Sequence, residues 1–264
     1  MKQRVITAVV ALAIFIPIII AGGFWIELAA VVLAVIAMHE FYKMKYKEKR
    51  PYLEEGLAII AALTLILPLD EWLPNLPSPL MAYYTLVILL MALTVFDKKD
   101  FTIDELGFPV FTSLYVGIGF DCFVNARATG LVTLFFALFI VWSTDIGAYM
   151  IGRKLGRHKL APQVSPNKTI EGAIGGVVSA VVVAMIYLHF FASDFMYSPV
   201  TLLIMTVIFS IAGQLGDLVE SAYKRHFSVK DSGNLLPGHG GILDRFDSLL
   251  FVFPMMYLLG LFHF

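Results

Sequence analysis

The sequence predicts an all-α, polytopic integral membrane protein of about nine transmembrane helices, N-terminus in the cytoplasm and C-terminus out. Three observations predict it. Hydrophobic residues make up 59% of the 264 and charged residues only 15%, against about 45–50% and about 25% in a soluble domain. The apolar residues gather in runs of helix length, with a mean hydropathy of +0.83 over the chain. Lysine and arginine fall almost wholly on alternate links between those runs. A water-soluble fold is excluded at the outset.

The first run, Val5 to Ala21, follows Lys2 and Arg4. It has the charged start and apolar core of a signal peptide, but it is long enough to cross about 30 Å of hydrocarbon and reads as a retained helix. Further runs cover Phe24 to Tyr42, Glu55 to Leu69, Ser78 to Phe96, Phe108 to Asn125, Leu131 to Ile151, Gly172 to Phe191, Val200 to Tyr223 and Ser248 to Leu261. Glu55 to Leu69 is short for a span, and Phe108 to Asn125 contains Gly117, Gly119 and Asp121.

Cations set the orientation. Lys43, Lys45, Lys47, Lys49 and Arg50 follow the second run, whereas the link from Asp70 to Pro79 has none. An N-terminus in the cytoplasm puts 18 of the 19 Lys and Arg residues inside, including Lys98, Lys99, Arg153 to Lys168 and Lys224 to Arg245; Arg127 alone falls outside. The expected location is the cell (inner) membrane, multi-pass, with the polar site facing the cytoplasm. The chain reads as a single membrane domain over 1–264. Residues 1–129 are expected to be mainly scaffold and lipid-facing helices, and 130–264 a polar, glycine-punctuated half that carries the cytoplasmic-side polar site. The single cysteine, Cys122, has no partner for an intrachain disulfide and no Cys/His ligand spacing is present, so a metal would be held by oxygen.

Chemistry concentrates in the second half. Asp145, within Trp142-Ser143-Thr144-Asp145, sits inside an apolar run, where an unpaired charge costs about 2.5–3.5 kcal/mol on the insertion scale. It therefore faces protein, water or an ion. Tyr149 lies one turn on, and Gly152 and Gly156 have the spacing of close helix packing. Ser165-Pro166-Asn167-Lys168-Thr169 then leads from a proline turn into a helix start. Free N–H groups and the positive dipole end there favour an anion, and Lys168 adds a full charge.

Asp217, Glu220, Ser221 and Lys224 share one helical face by their spacing. One reading is an interfacial ion pair of Asp217 and Ser221 with Lys224; the other is a functional cluster, since Asp217 and Glu220 carry more negative charge than one lysine offsets. The stretch Lys230 to Asp247 mixes oxygen ligands, cations and glycines. The glycines flanking His239 let backbone N–H groups approach a ligand closely, and Arg245 can fork onto phosphate. His239 reads equally as a structural hydrogen-bonding residue and as a donor to a phosphate oxygen. Asp244 and Asp247 point the same way if a helix starts there. Mg²⁺ takes carboxylate oxygens plus substrate phosphates and needs few protein ligands; Asp217 and Asp244 are the first choice for it.

Ser221-x-x-Lys224-Arg225, Lys230-Asp231, Pro237-x-His239-Gly240-Gly241 and Asp244-Arg245-x-Asp247 resemble the signature of the phosphatidate cytidylyltransferase, or CDP-diacylglycerol synthase, family. Asp145, Ser165 to Thr169 and Glu171 are similar to the blocks that precede it. The resemblance is specific from Trp142 to Asp247 and generic before that. It implies transfer of CMP from CTP to phosphatidic acid within phospholipid biosynthesis, giving CDP-diacylglycerol and pyrophosphate. On that reading Asp217, Asp244, Lys224, Arg245 and Asp247 are catalytic, and Lys168, Asn167, Ser165, Ser221, Arg225, Lys230, Asp231, His239, Gly240 and Gly241 bind substrate. Mg²⁺, with a second cation possible, is held by Asp217 and Asp244 with Glu220, Asp247 and Asp145. The expected partners are CTP, phosphatidic acid and the bilayer, with no nucleic acid; small-residue helix faces favour a homodimer.

Two other readings compete. A CTP-dependent polyprenol or phytol kinase would move a γ-phosphoryl group instead. A cation-coupled membrane transporter would use Asp145 and Asp217 as an ion path, but gives the glycine-rich cationic loop no task.

Overall fold

Hydrocarbon offers no water to satisfy peptide groups, so apolar runs of this length close their hydrogen bonds as helices. The computed structural model describes residues 2–47, 50–72, 75, 78–96 and 101–263. Its helices are α1 (Lys2–Ala21), α2 (Phe24–Lys45), α3 (Tyr52–Ile66), α4 (Leu69–Trp72), α5 (Pro79–Phe96), α6 (Gly107–Thr129), α7 (Leu131–Leu155), α8 (Ile170–Phe191), α9 (Pro199–His226), α10 (Leu243–Phe246) and α11 (Leu249–Leu258). Each of the nine apolar runs holds one. Among the described residues six, α2 and α5 to α9, are long and apolar enough to cross a membrane. Of the cations used for orientation, Lys49, Lys98 and Lys99 lie outside the described residues, as do the side chains of Lys2 and Arg4; so do residues 73, 74, 76 and 77 of the link after α3.

The last run, Ser248 to Leu261, holds a shorter helix than the others, α11 having ten residues, about 15 Å of rise. Its end meets the link between α8 and α9, where Tyr197 Oη donates to Leu259 O at 3.3 Å. Gly260 ends the helix at φ +75°, and Leu261 N–H donates back to Met256 O at 3.0 Å. The all-α expectation misses one feature: β1 (Lys159–Ala161) pairs antiparallel with β2 (Ser165–Thr169), Lys159 opposite Thr169 and Ala161 opposite Ser165. In two strands every strand is an edge, so Pro166 is tolerated despite lacking an N–H.

The chain divides into two compact units, Met1–Val124 with Asp231–Leu243, and Asn125–Lys230 with Asp244–Phe264. In the first, α2 buries Ala30, Ala34, Ala37 and Phe41 at spacings of three and four, and α3 buries Ala58, Ala61 and Ala62. Gly117 lets α6 approach α3: a Cβ there would lie 2.9 Å from Leu65 Cδ1 and 3.0 Å from Ala62 O. Phe41, Tyr42 and Phe108 form an edge-to-face cluster, with Tyr42 and Phe108 centroids 5.3 Å apart. Beside it Glu105 pairs with Lys45 and accepts from Tyr46 Oη at 2.8 Å. Burial alone would raise the Glu105 carboxyl, but the bonds from Lys45 and Tyr46 outweigh it and hold the group below its usual range.

In the second unit α7 and α8 make the closest helix contact, and glycine allows it. A Cβ on Gly176 would lie 2.9 Å from Thr144 O, and one on Gly172 would lie 2.9 Å from Ala148 O and 3.1 Å from Gly152 Cα. Gly147 has no room beside Ser179, nor Gly156 beside Thr169. Gly152 and Gly156 thus serve close packing, and the small-residue faces expected to receive a second copy are used here within the chain. α9 is tied to α7 by Thr144 Oγ1 and Ser210 Oγ at 2.8 Å, and to α8 by Gln214 Nε2 donating to Ala173 O at 3.3 Å.

Candidate active site

Within the second unit, α7, β2, α8 and α9 surround a cavity of about 480 Å³ whose polar lining includes Asp145, Asn167, Lys168, Thr169, Gln214 and Asp217. Asp145 therefore opens onto this space from α7. Local structure aims the rest. Thr169 caps α8, its Oγ1 accepting from Gly172 N at 3.1 Å. Glu171, in the first turn, accepts from Arg157 N at 3.0 Å, His158 N at 3.2 Å and His158 Nδ1 at 2.6 Å. Those bonds close the base of the hairpin, and Lys168 Nζ lies 2.5 Å from Asp217 Oδ2.

A second cluster follows along α9. Lys224 Nζ donates to Glu220 Oε2 and to Asp244 Oδ1, both at 2.7 Å. The three side chains are 12%, 2% and 6% exposed, so two acids share one ammonium out of water. Coulomb attraction between ions so placed rarely exceeds the cost of desolvating them, which makes the cluster a poor stabiliser and points to another use. Ser221 Oγ donates to Asp217 Oδ1 at 3.3 Å. The simple ion pair of Asp217 with Lys224 does not form: Lys168 takes Asp217, and Lys224 takes Glu220 and Asp244.

Asp247 accepts from Ser248 N at 2.7 Å, and burial together with the charge of Asp217 pushes its carboxyl up to about 7. Glu220 Oε1 is buried with no hydrogen-bond donor. Arg225 is spent on main chain, its Nε donating to Val164 O at 3.2 Å and its Nη1 to Val229 O at 3.4 Å. Ser165 sits in β2 opposite Ala161. Lys230 and Arg245 are exposed. Asp145, Asn167, Lys168 and Asp217 thus meet at the cavity, and Glu220, Lys224 and Asp244 meet beside Ser221 on α9 and α10. Among the described residues, no three carboxylate, imidazole or thiolate groups stand assembled as a ligand set.

Asp231, His239, Gly240 and Gly241 belong to the first unit. There Leu236 N donates to Gly240 O at 3.0 Å and His239 N to Leu236 O at 2.8 Å, closing a turn in which Gly238 and Gly240 take φ +79° and +84°. Those angles are the left-handed region that glycine enters without steric cost. His239 is half-buried and its Nδ1 has no partner.

Sequence reading missed Glu40. This residue of α2, 4% exposed, accepts from Ser232 Oγ, Ile242 N and Leu243 N, each at 2.9 Å. The signal was available: an acid inside an apolar run demands a partner, the same argument that singled out Asp145.

Residues 2–263 match the model of the cytidylyltransferase family. The chain is 45% identical over 263 residues to a protein of Staphylococcus haemolyticus named phosphatidate cytidylyltransferase, covering 98% of each. Proteins of the same name from Staphylococcus saprophyticus and Staphylococcus epidermidis are 42% and 44% identical, again over 98% of each chain.

Proposed function

This chain belongs to the cytidylyltransferase family, and we propose that the cavity-facing charges of its second unit carry out the phosphatidate cytidylyltransferase reaction. It is an enzyme, a nucleotidyltransferase acting on membrane lipid. A phosphate oxygen of phosphatidic acid attacks the α-phosphorus of CTP. A P–O bond forms there, the bond to the β-phosphate bridge breaks, and pyrophosphate leaves with the electron pair. The lipid phosphate is already a nucleophile, so positioning and charge stabilisation carry the catalysis.

The pairing of Lys168 with Asp217 at the cavity is the observation that carries this reading. A polyanion entering the cavity offers Lys168 phosphate oxygens in place of Asp217, and frees Asp217 for a cation. Lys224 stands in the same relation to Glu220 and Asp244. Arg245 and Lys230, exposed, neutralise departing pyrophosphate and the lipid headgroup, and Arg225 joins them if its guanidinium exchanges main-chain carbonyls for phosphate. Asn167, Ser165 and Ser221 bind substrate in this unit, and Asp231, His239, Gly240 and Gly241 are the substrate-binding candidates of the first.

The donor chemistry fits Mg²⁺. Asp145 and Asp217 present hard oxygens to the cavity, and the buried Glu220 Oε1 lacks a donor. Asp217 and Asp244 would hold the ion, with Glu220, Asp247 and Asp145 as further ligands. Bound there, it would neutralise charge on the triphosphate. We place the site at the cytoplasmic face of the cell membrane.

Two labels of CTP test the reaction in detergent, where no gradient exists. Cytidine label should enter lipid and γ-phosphate label should not; the reverse is the signature of a lipid kinase, and no CTP-dependent product at all would leave transport as the function. Asp217→Asn and Asp244→Asn should lose turnover at saturating Mg²⁺, and near wild-type rates in both would overturn the metal assignment.

A further inference from the structure

Glu40 is a buried carboxylate whose three donors, Ser232 Oγ and the N–H groups of Ile242 and Leu243, are all uncharged. An ionised group withdrawn from water is retained only where hydrogen bonds replace its hydration. Two of the replacements come from main chain, so the side chain of Glu40 fixes the path of the backbone at Ile242 and Leu243. The next peptide bond leads into Asp244 and Arg245.

Glycine makes the room. A Cβ at Gly233 would lie 2.5 Å from Glu40 Oε1 and 2.9 Å from its Cδ, and one at Gly241 would run into both carboxylate oxygens and Ser232 Oγ. The glycines on either side of the turn at Gly238 and Gly240 are thus shaped around a residue 192 positions before Ser232.

We propose that Glu40 is a positioning residue for cytidylyl transfer, clamping the main chain at Ile242 and Leu243 so that Asp244 and Arg245 are presented in fixed register. This rests on the reading that Asp244 and Arg245 belong to the reacting site. Glu40 touches neither substrate; its effect passes through the backbone. A neutral amide in its place puts an NH₂ against a main-chain N–H and releases one of the two anchors.

The test compares full-length Glu40→Gln, Gly233→Ala and Asp244→Asn in detergent and lipid micelles, reading kcat, KM for CTP, KM for phosphatidate and thermal midpoint. Glu40→Gln and Gly233→Ala should each lower kcat roughly tenfold to a hundredfold, the range that a displacement of about 1 Å produces, with both KM values unchanged. Both variants should melt lower than wild type, since one forces a Cβ to 2.5 Å from Glu40 Oε1 and the other loses a buried hydrogen bond, but the kcat loss should persist when each is assayed well below its own midpoint. Wild-type kcat in either variant that folds, or a kcat loss that disappears well below the midpoint, overturns the proposal. If Glu40→Gln does not fold, Gly233→Ala decides alone. Full activity in Asp244→Asn would instead overturn the site on which the proposal rests.

Discussion

Lys168 Nζ lies 2.5 Å from Asp217 Oδ2, a bond between a strand and a helix whose side chains are 27% and 33% exposed. A pair this open to solvent contributes only about 0–1 kcal/mol to stability. Its value is in what each partner does when a phosphate arrives.

Lys168→Ala should therefore reduce turnover by about a hundredfold, as loss of one transition-state donor does, while the thermal midpoint barely moves. Steady-state kinetics and a melting curve on the same preparation check it. A large drop in melting temperature with unchanged turnover would mark Lys168 as structural.

Helix packing gives a second expectation. Gly176→Ala would force a Cβ to 2.9 Å from Thr144 O and should destabilise by about 1–3 kcal/mol. Gly56→Ala in α3, where a Cβ meets nothing within 4 Å, should be neutral or stabilising by up to about 1 kcal/mol, since alanine is the better helix former. Thermal unfolding in detergent separates the two, and equal effects would refute the tight α7 and α8 contact.

Glu105 predicts a pH dependence. Its folded carboxyl titrates below the ordinary value, so its stabilisation is fully present above the unfolded pKa of about 4.3 and is lost as pH falls through the folded one. Glu105→Gln should be less stable than wild type at pH 7, by under about 1 kcal/mol given its exposure. The gap should close as pH drops below about 4. A gap that persists or widens in acid would remove the ion pair with Lys45 as its cause.

Orientation is open to labelling with a membrane-impermeant maleimide, because Cys122 is buried. In intact cells Met196→Cys, on the link between α8 and α9, and His263→Cys should react. Lys154→Cys, at the end of α7, should react only after permeabilisation. The opposite pattern would invert the topology.

Much of this was legible in the residues because helices in hydrocarbon leave a long, local trace. Even the doubtful Phe108 to Asn125 forms α6, and its awkward Gly117 is the point where α3 comes close. The hairpin was not legible: Lys159 to Thr169 holds Pro162, Pro166, Asn167 and two lysines, none a strand former, and it is held by Glu171 accepting from Arg157 and His158. The acids of α9 could be placed on one face by spacing, but not their partners. Which lysine meets Asp217 depends on a strand 49 residues upstream, and periodicity carries no such information. Glu40 was hidden by company, since an acid near Lys43 and Lys45 looks like part of the solvated end of a helix.

The clamp at Glu40 has a consequence for how the polypeptide is made. Its carboxylate leaves the ribosome well before its donors, Ser232, Ile242 and Leu243, which follow it by 192, 202 and 203 residues. Until those residues emerge, the nascent helix holds an acid without its final partners. The first unit, Met1–Val124 with Asp231–Leu243, therefore cannot close around Glu40 until residues 232–243 have been made.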